Sequence, residues 1–242
     1  MALRDLLDLV LPLECGACLA PGSRWCGRCA SALAATGFPG GARRVLPEPA
    51  PPDLPPTHAW GPYAGPLRPA IAAWKDAGRG DLDRVLGPLL SASVDQALAA
   101  AQWVHQPVLL LAAPSSRRSR RQRGEVPLER LLLDVGRRLA ARGSGPVRVA
   151  GRVLEHRRAV VDQAGLDTDS RAANLSGAVR VSGRWRAVVG GRRCLVVDDV
   201  LTTGATLAEC ARALREEGAA AVEAATIGAT ERRSPAFSSR LL

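Results

Sequence analysis

Leu195-Val-Val-Asp198-Asp199-Val200-Leu201-Thr202-Thr203-Gly204-Ala205-Thr206-Leu207 joins an apolar run, two adjacent carboxylates, a hydroxyl-rich turn and the start of a helical pattern. An apolar run that stops at paired aspartates has the composition of a buried strand reaching the carboxyl edge of a parallel sheet, where open α/β folds hold their ligands. Those carboxylates can accept hydrogen bonds from ribose hydroxyls. Thr202, Thr203 and Gly204 then supply hydroxyls and a tight backbone whose N–H groups point into the start of the next helix, a site suited to a phosphate dianion. Strand-ending aspartates and helix-capping threonines give the same pattern with no ligand. A P-loop ATPase needs G-x-x-x-x-G-K-[ST], and the one lysine of the chain lies in Ala-Trp-Lys75-Asp-Ala-Gly, so that rival fails.

Upstream, residues 108–113 form a solid apolar run. A basic loop follows, then a helix led by Pro127 with Leu128, Leu131, Leu132, Val135 and Leu139 on one face, then the segment Val147 to Val153. This reads as strand, helix, strand. Residues 155–177 form a polar insertion, and 179–189 a hairpin ahead of the strand 194–197. Downstream, 206–217 is a helix stopped by Gly218, and 222–227 a last strand. Apolar strands alternating with helices predict an α/β fold: a parallel sheet flanked by helices.

The amino-terminal side is less regular. Leu3, Leu6, Leu7 and Val10 recur at helical spacing until Pro12. Six prolines between residues 45 and 58 favour an extended linker that cannot build a core. Residues 81–100 carry Leu82, Val85, Leu86, Leu89, Leu90, Ala97 and Leu98 on one side of a helix that Gly87 and Pro88 should kink or split. The expected division is a cysteine module at 1–44, a linker at 45–58, a helical connecting segment at 59–104, the main α/β core at 105–230 and a flexible tail at 231–242.

Composition narrows the class. With 47% apolar and 23% charged residues the chain resembles folded proteins, not disordered ones. No run approaches the roughly 20 apolar residues of a membrane span, and the apolar start at 3–13 carries Asp5 and Asp8. A net charge of +10 suits nucleic acid or an anionic ligand, although an arginine bias also follows from GC-rich coding. Six cysteines without a secretory signal suggest a reducing compartment, the cytoplasm.

Cys15 and Cys18 form one C-x-x-C pair, Cys26 and Cys29 another, and seven residues separate the pairs. Four thiolates at this spacing can converge on one tetrahedral zinc ion; an iron–sulphur cluster or two disulfides are alternatives. Structural zinc contributes an apparent ~10 to 16 kcal/mol to such fragments, which a short segment without a core needs. A four-thiolate shell leaves no open position, so the site reads as structural. Cys194 and Cys210 fall in a strand and a helix as small buried hydrophobes. His58, His105 and His156 have no metal-ligand spacing.

Residues 195–207 resemble the phosphoribosyl-diphosphate motif of type I phosphoribosyltransferases. Together with the paired cysteines they resemble the ComF family, whose members are linked to bacterial competence and DNA uptake. That resemblance implies a type I phosphoribosyltransferase-like sheet with a small N-terminal zinc-binding module. It implies that Asp198 and Asp199 bind the ribose 2- and 3-hydroxyls, and that Thr202 to Thr206, with Gly204 and Ala205 between them, hold the 5-phosphate; Val200 and Leu201 join the substrate set. Also similar to the family are Tyr63 with Gly65 and Arg68, Lys75 with Gly78, Pro114 followed by Arg117, Arg120 and Arg123-Gly124, and Gln163 with Arg171 and Asn174. By position, Pro114, Ser115, Ser116 and Arg117 open the diphosphate loop, with Arg117 in a catalytic role. Lys75 and Arg171 are substrate-binding candidates, though a lysine on a helix surface beside a packed indole explains Lys75 equally well. The implied ligands are phosphoribosyl diphosphate or ribose 5-phosphate with magnesium, and the implied partners are DNA or a DNA-processing helicase. Where the family often has Arg-Gly-Phe-Asn-Gln, this chain has Arg123-Gly124-Glu125-Val126-Pro127.

Two functions fit these residues. One is a phosphoribosyltransferase acting on an unnamed acceptor. The other is a binding module that keeps the ribose-phosphate pocket as a sensor or vestige and serves DNA uptake or processing through its zinc knuckle and a basic surface, notably the five arginines at 117, 118, 120, 121 and 123.

Overall fold

The computed structural model describes residues 13–114, 126–157 and 177–230. The helix expected at Leu3 to Val10, most of the basic loop, much of the polar insertion and the tail lie outside the described residues.

In chain order the elements are α1 (Gly27–Thr36), β1 (Arg43–Val45), β2 (Thr57–Pro62), α2 (Leu67–Asp76), a short 3-10 turn (Gly80–Leu82), α3 (Asp83–Ala100), β3 (Val108–Ala112) and α4 (Pro127–Ala141). There follow β4 (Val147–Ala150), β5 (Leu154–His156), β6 (Val179–Val181), a second 3-10 turn (Gly183–Trp185), α5 (Arg186–Val189), β7 (Arg193–Leu201), α6 (Ala205–Glu216) and β8 (Ala221–Ala229). Six strands form one sheet in the order β1-β2-β8-β7-β3-β4. All neighbours are parallel except β1 with β2. This is the expected α/β architecture, a mostly parallel sheet flanked by helices.

Each face of the sheet has its own core, because the central strands are apolar on both sides. On one face α2, α3 and α4 bring Leu67, Ile71, Trp74, Leu90 and Leu131 against Leu110, Leu195, Val197 and Ile227. On the other, α6 and the β5–β6 hairpin bring Leu207, Cys210, Leu214, Val179 and Val181 against Leu109, Leu111, Cys194 and Val196. Cys194 and Cys210 are buried within that second layer.

Several local expectations change. β2 pairs in parallel with β8, from Thr57 opposite Ala224 to Pro62 opposite Ala229, so residues expected as linker and connecting segment supply a strand of the sheet. α3 runs as one helix through Gly87 and Pro88. Buried Leu86, Leu90, Val94 and Leu98 hold the turns on both sides of the proline, and packing outweighs the missing amide. Gly87 lets α3 approach α4 closely, since a Cβ there would come within 2.8 Å of Asp134 Oδ2. The hairpin expected over 179–189 is instead β6 paired antiparallel with the upstream β5. After β6 the chain turns into a 3-10 turn and α5.

Candidate functional site

β7 does not stop at its aspartates. Pairing with β3 ends at Ala112 opposite Val197, while pairing with β8 continues to Leu201 opposite Ala229. Asp198 and Asp199 therefore lie where one neighbour has ended and the other has not, at the carboxyl edge of the sheet. The alternation of faces also inverts here: Leu195 and Val197 pack with α2, α3 and α4, but Leu201 packs with α6. Each aspartate takes up the next amide: Asp199 N–H donates to Asp198 Oδ1 and Val200 N–H to Asp199 Oδ1, both at 2.9 Å.

Lys75, on the last turn of α2, reaches this edge and places Nζ 2.6 Å from Asp199 Oδ2. The lysine side chain is 54% exposed and that of the aspartate 10%, so the pair sits at the mouth of the site. Burial opposes the charge on Lys75. Asp199 outweighs it by Coulomb attraction and a hydrogen bond, helped by Asp198 and Asp76, and the lysine pKa rises above its ordinary value. Burial, then the charge of Asp199, pushes the Asp198 carboxyl up to about 7, with Lys75 acting in the opposite direction.

Gly204 turns the chain at φ +78° into α6, a left-handed conformation that glycine adopts without strain. Ala205 N–H donates to Thr203 Oγ1 at 3.4 Å. The amides of Thr202, Thr203 and Gly204 have no acceptor among the described residues, and with the orphan donors of the first turn of α6 they leave N–H groups that an anion could take up. The carbonyls of Leu201 and Thr202 are tied back by the hydroxyl of Thr230 at 3.2 and 3.3 Å. A Cβ at position 204 would meet Leu54 at 3.0 Å and Pro47 at 3.3 Å, so the proline-rich segment lies against this turn. Arg215 fastens the same segment by donating to the carbonyl of Asp53 at 3.0 Å.

Pro114 follows β3, where Ala113 N–H donates to the carbonyl of Val197 at 2.8 Å. His156 Nε2 donates to the Pro114 carbonyl at 3.1 Å, joining the β5–β6 hairpin to the start of the expected diphosphate loop. The hairpin is held in turn by α6: Glu209 accepts from Val179 N–H at 3.0 Å and Arg212 donates to the Val179 carbonyl at 2.9 Å. Of the sequence candidates, Asp198, Asp199, Val200, Leu201, Thr202, Thr203, Gly204, Ala205, Thr206, Lys75 and Pro114 come together at this edge. Ser115, Ser116, Arg117 and Arg171 lie outside the described residues. Sequence reasoning missed His156 and the Glu209–Arg212 pair; the i,i+3 spacing of Glu209 and Arg212 on one helix is a signal only once β6 is known to lie beside it.

The four cysteines converge. Their sulphur atoms all lie within 4.8 Å of one another, and Cys18 Sγ is 3.7 Å from Cys26 Sγ. Zn–S bonds of about 2.3 Å in a tetrahedron require sulphur separations of about 3.8 Å, so the donor set fits a zinc ion. Amides support the sulphurs: Cys26 N–H approaches Cys15 Sγ and Cys29 N–H approaches Cys26 Sγ, each at 3.5 Å. Burial would raise the Cys15 thiol, but the amides of Cys18, Cys26 and Ala17 outweigh it and bring the thiol down to about 6. Burial and the other three thiols push Cys29 up to about 12.

No helix among the described residues is long and apolar enough to cross a membrane. Residues 140–236 match the family described as phosphoribosyl transferase domain, a span that contains β7, both aspartates and the turn into α6. The DNA utilization protein YhgH of Escherichia coli strain K12 is 31% identical over 161 residues, 66% of this chain and 66% of the relative. YhgH of Shigella flexneri is 30% identical over the same shares. The chain thus spans just under two thirds of the length of these relatives. A solved phosphoribosylpyrophosphate synthetase from Mycobacterium smegmatis is 17% identical with a TM-score of 0.30, covering 61% of this chain and 33% of that one. With its phosphoribosyltransferase domain, its four-cysteine cluster and its kinship to YhgH, the chain belongs to the ComF family.

Proposed function

We propose that the chain binds phosphoribosyl diphosphate with magnesium at the carboxyl edge of β7 and transfers the phosphoribosyl group to an acceptor not yet identified. The observation that carries this reading is the juxtaposition of the Lys75–Asp199 pair with the open amides of Thr202, Thr203 and Gly204. Asp198 and Asp199 offer oxygen donors to ribose hydroxyls, and the turn into α6 suits a 5-phosphate. Magnesium, when bound, neutralises charge on the diphosphate. In the reaction the bond from the ribosyl carbon to diphosphate breaks, diphosphate leaves with the electron pair, and a nucleophile on the acceptor forms the new bond. No residue need form a covalent intermediate, so the protein contributes orientation and electrostatic stabilisation. Zinc is the proposed occupant of Cys15, Cys18, Cys26 and Cys29, and the cytoplasm the proposed location.

The name of the relatives and the net charge of +10 favour a second reading, a non-catalytic ribose-phosphate sensor or DNA-processing module whose partner is DNA or a helicase acting on it. A screen of nitrogen bases with labelled phosphoribosyl diphosphate separates the two. Release of diphosphate that depends on one acceptor supports the transferase. Tight ligand binding without turnover, together with DNA affinity that Arg117→Gln, Arg118→Gln and Arg120→Gln weaken in a salt-dependent way, supports the module.

A further inference from the structure

Two separate clamps meet at the end of α2, beside Lys75. Trp74 Nε1 donates to Asp83 Oδ1 at 2.7 Å, and Arg130 of α4 grips the same carboxylate at 2.6 and 3.2 Å. On the other side Gly78, at φ +68°, turns the chain back so that Arg79 N–H reaches the carbonyl of Ala73 at 3.2 Å. The Arg79 side chain then crosses to the cysteine module. Its Nη2 donates to the carbonyl of Glu14 at 3.0 Å and approaches that of Arg24 at 3.4 Å. Asp81 holds the guanidinium through Nε and Nη2, both at 2.8 Å. Glu14 precedes Cys15, and the Arg24 carbonyl also accepts from Gly16 N–H at 3.0 Å. One guanidinium therefore spans both halves of the thiol knuckle. Leu82 closes the contact so tightly that a Cβ on Gly16 would lie 2.7 Å from it.

We infer that Arg79 is a positioning residue that couples the four-cysteine centre to the ribose-phosphate site through Lys75; this rests on the ligand reading above. A metal that gathers the four thiolates fixes the carbonyls of Glu14 and Arg24. Those carbonyls orient Arg79, and Arg79 fixes the last turn of α2, from which Lys75 reaches Asp199. A long, half-exposed lysine finds one carboxylate reproducibly only when its own backbone is held. The guanidinium suits the task because its fork can serve a carboxylate and two carbonyls in one plane, which a single ammonium does less well. The cysteine module is then part of the ligand site's scaffold. Because binding linkage is reciprocal, a ligand that engages Lys75 and Asp199 also tightens the hold on the metal.

The test uses the full metal-loaded chain and ribose 5-phosphate, which lacks the diphosphate that would itself extract metal. Transfer of metal to a chromogenic chelator is timed with and without ribose 5-phosphate, and affinity is measured by calorimetry. In the wild type the ligand slows metal transfer about fivefold or more. Arg79→Ala weakens ribose 5-phosphate binding roughly tenfold and removes the slowing, and Arg79→Lys restores part of both. Arg142→Ala, which breaks the distant pair with Asp95, behaves as the wild type. The ligand-dependent slowing in unsubstituted protein holds as a test even where Arg79→Ala misfolds. Ribose 5-phosphate that binds the wild type yet leaves metal transfer unchanged, with Arg79→Ala binding equally well, overturns the coupling and spares the ligand reading. A wild type that binds no ribose 5-phosphate overturns both.

Discussion

Lys75 and Asp199 meet across two elements that are far apart in sequence, with Nζ on the end of α2 and Oδ2 at the edge of β7 separated by 2.6 Å. With the lysine side chain half exposed, solvent screens the pair, and its share of stability is at most about 1 kcal/mol. Lys75→Ala should therefore leave the unfolding midpoint almost unchanged while weakening phosphoribosyl diphosphate binding roughly tenfold or more, the value of one charge-assisted hydrogen bond. Paired denaturation and calorimetry check this. A large loss of stability with unchanged affinity would make Lys75 a structural residue.

The four-cysteine cluster should carry one zinc per chain. Elemental analysis reads the stoichiometry, and chelation should loosen residues around Cys15 to Cys29 while the six-stranded sheet keeps its circular dichroism. Four freely titrating thiols in native protein would contradict the assignment.

Gly204 carries the tightest backbone constraint in the ligand turn. Gly204→Ala places a Cβ at φ +78° and 3.0 Å from Leu54, so the protein should lose about 1 to 2 kcal/mol and the turn should lose its fit to phosphate. Urea unfolding measures the first effect and ligand titration the second. Unchanged stability would mean that the proline-rich segment gives way freely.

Much of this was legible in the sequence because its chemistry is local. The paired aspartates, the threonine-glycine turn and the two C-x-x-C pairs each fall within a few residues, and their spacing alone restricts what they can build. β2 was not legible. Its residues Thr57 to Pro62 include Gly61 and Pro62 and follow six prolines in ten positions, and only pairing with β8, far along the chain, makes them a strand. Arg79 stayed hidden for the same reason, since its partners Glu14 and Arg24 lie more than fifty residues away. The unbroken α3 shows packing overriding propensity at Pro88.

Glu223 offers a pH test away from the ligand site. Burial pushes its carboxyl up to about 7, with Arg44 opposing, and its Oε2 is buried with no hydrogen-bond partner among the described residues. The folded protein then binds a proton here that the unfolded chain has already lost between the ordinary glutamate range and about pH 7. Stability falls with rising pH across that window, because the native state holds more protons than the unfolded one. Relative to wild type, Glu223→Gln should gain stability as pH rises through the window and level off above it. Parallel pH profiles for the two proteins would contradict the assignment.

Calorimetry of phosphoribosyl diphosphate with magnesium, on wild type and on Asp198→Asn/Asp199→Asn, tests the ligand site most directly. The amides keep size and shape but lose the charged acceptors, each worth roughly 1.5 to 3 kcal/mol. The double variant should stay folded and bind about a hundredfold more weakly or worse, while the wild type binds only when magnesium is present. Absence of binding by the wild type, or equal binding by both proteins, would contradict the ribose-phosphate site at Asp198 and Asp199.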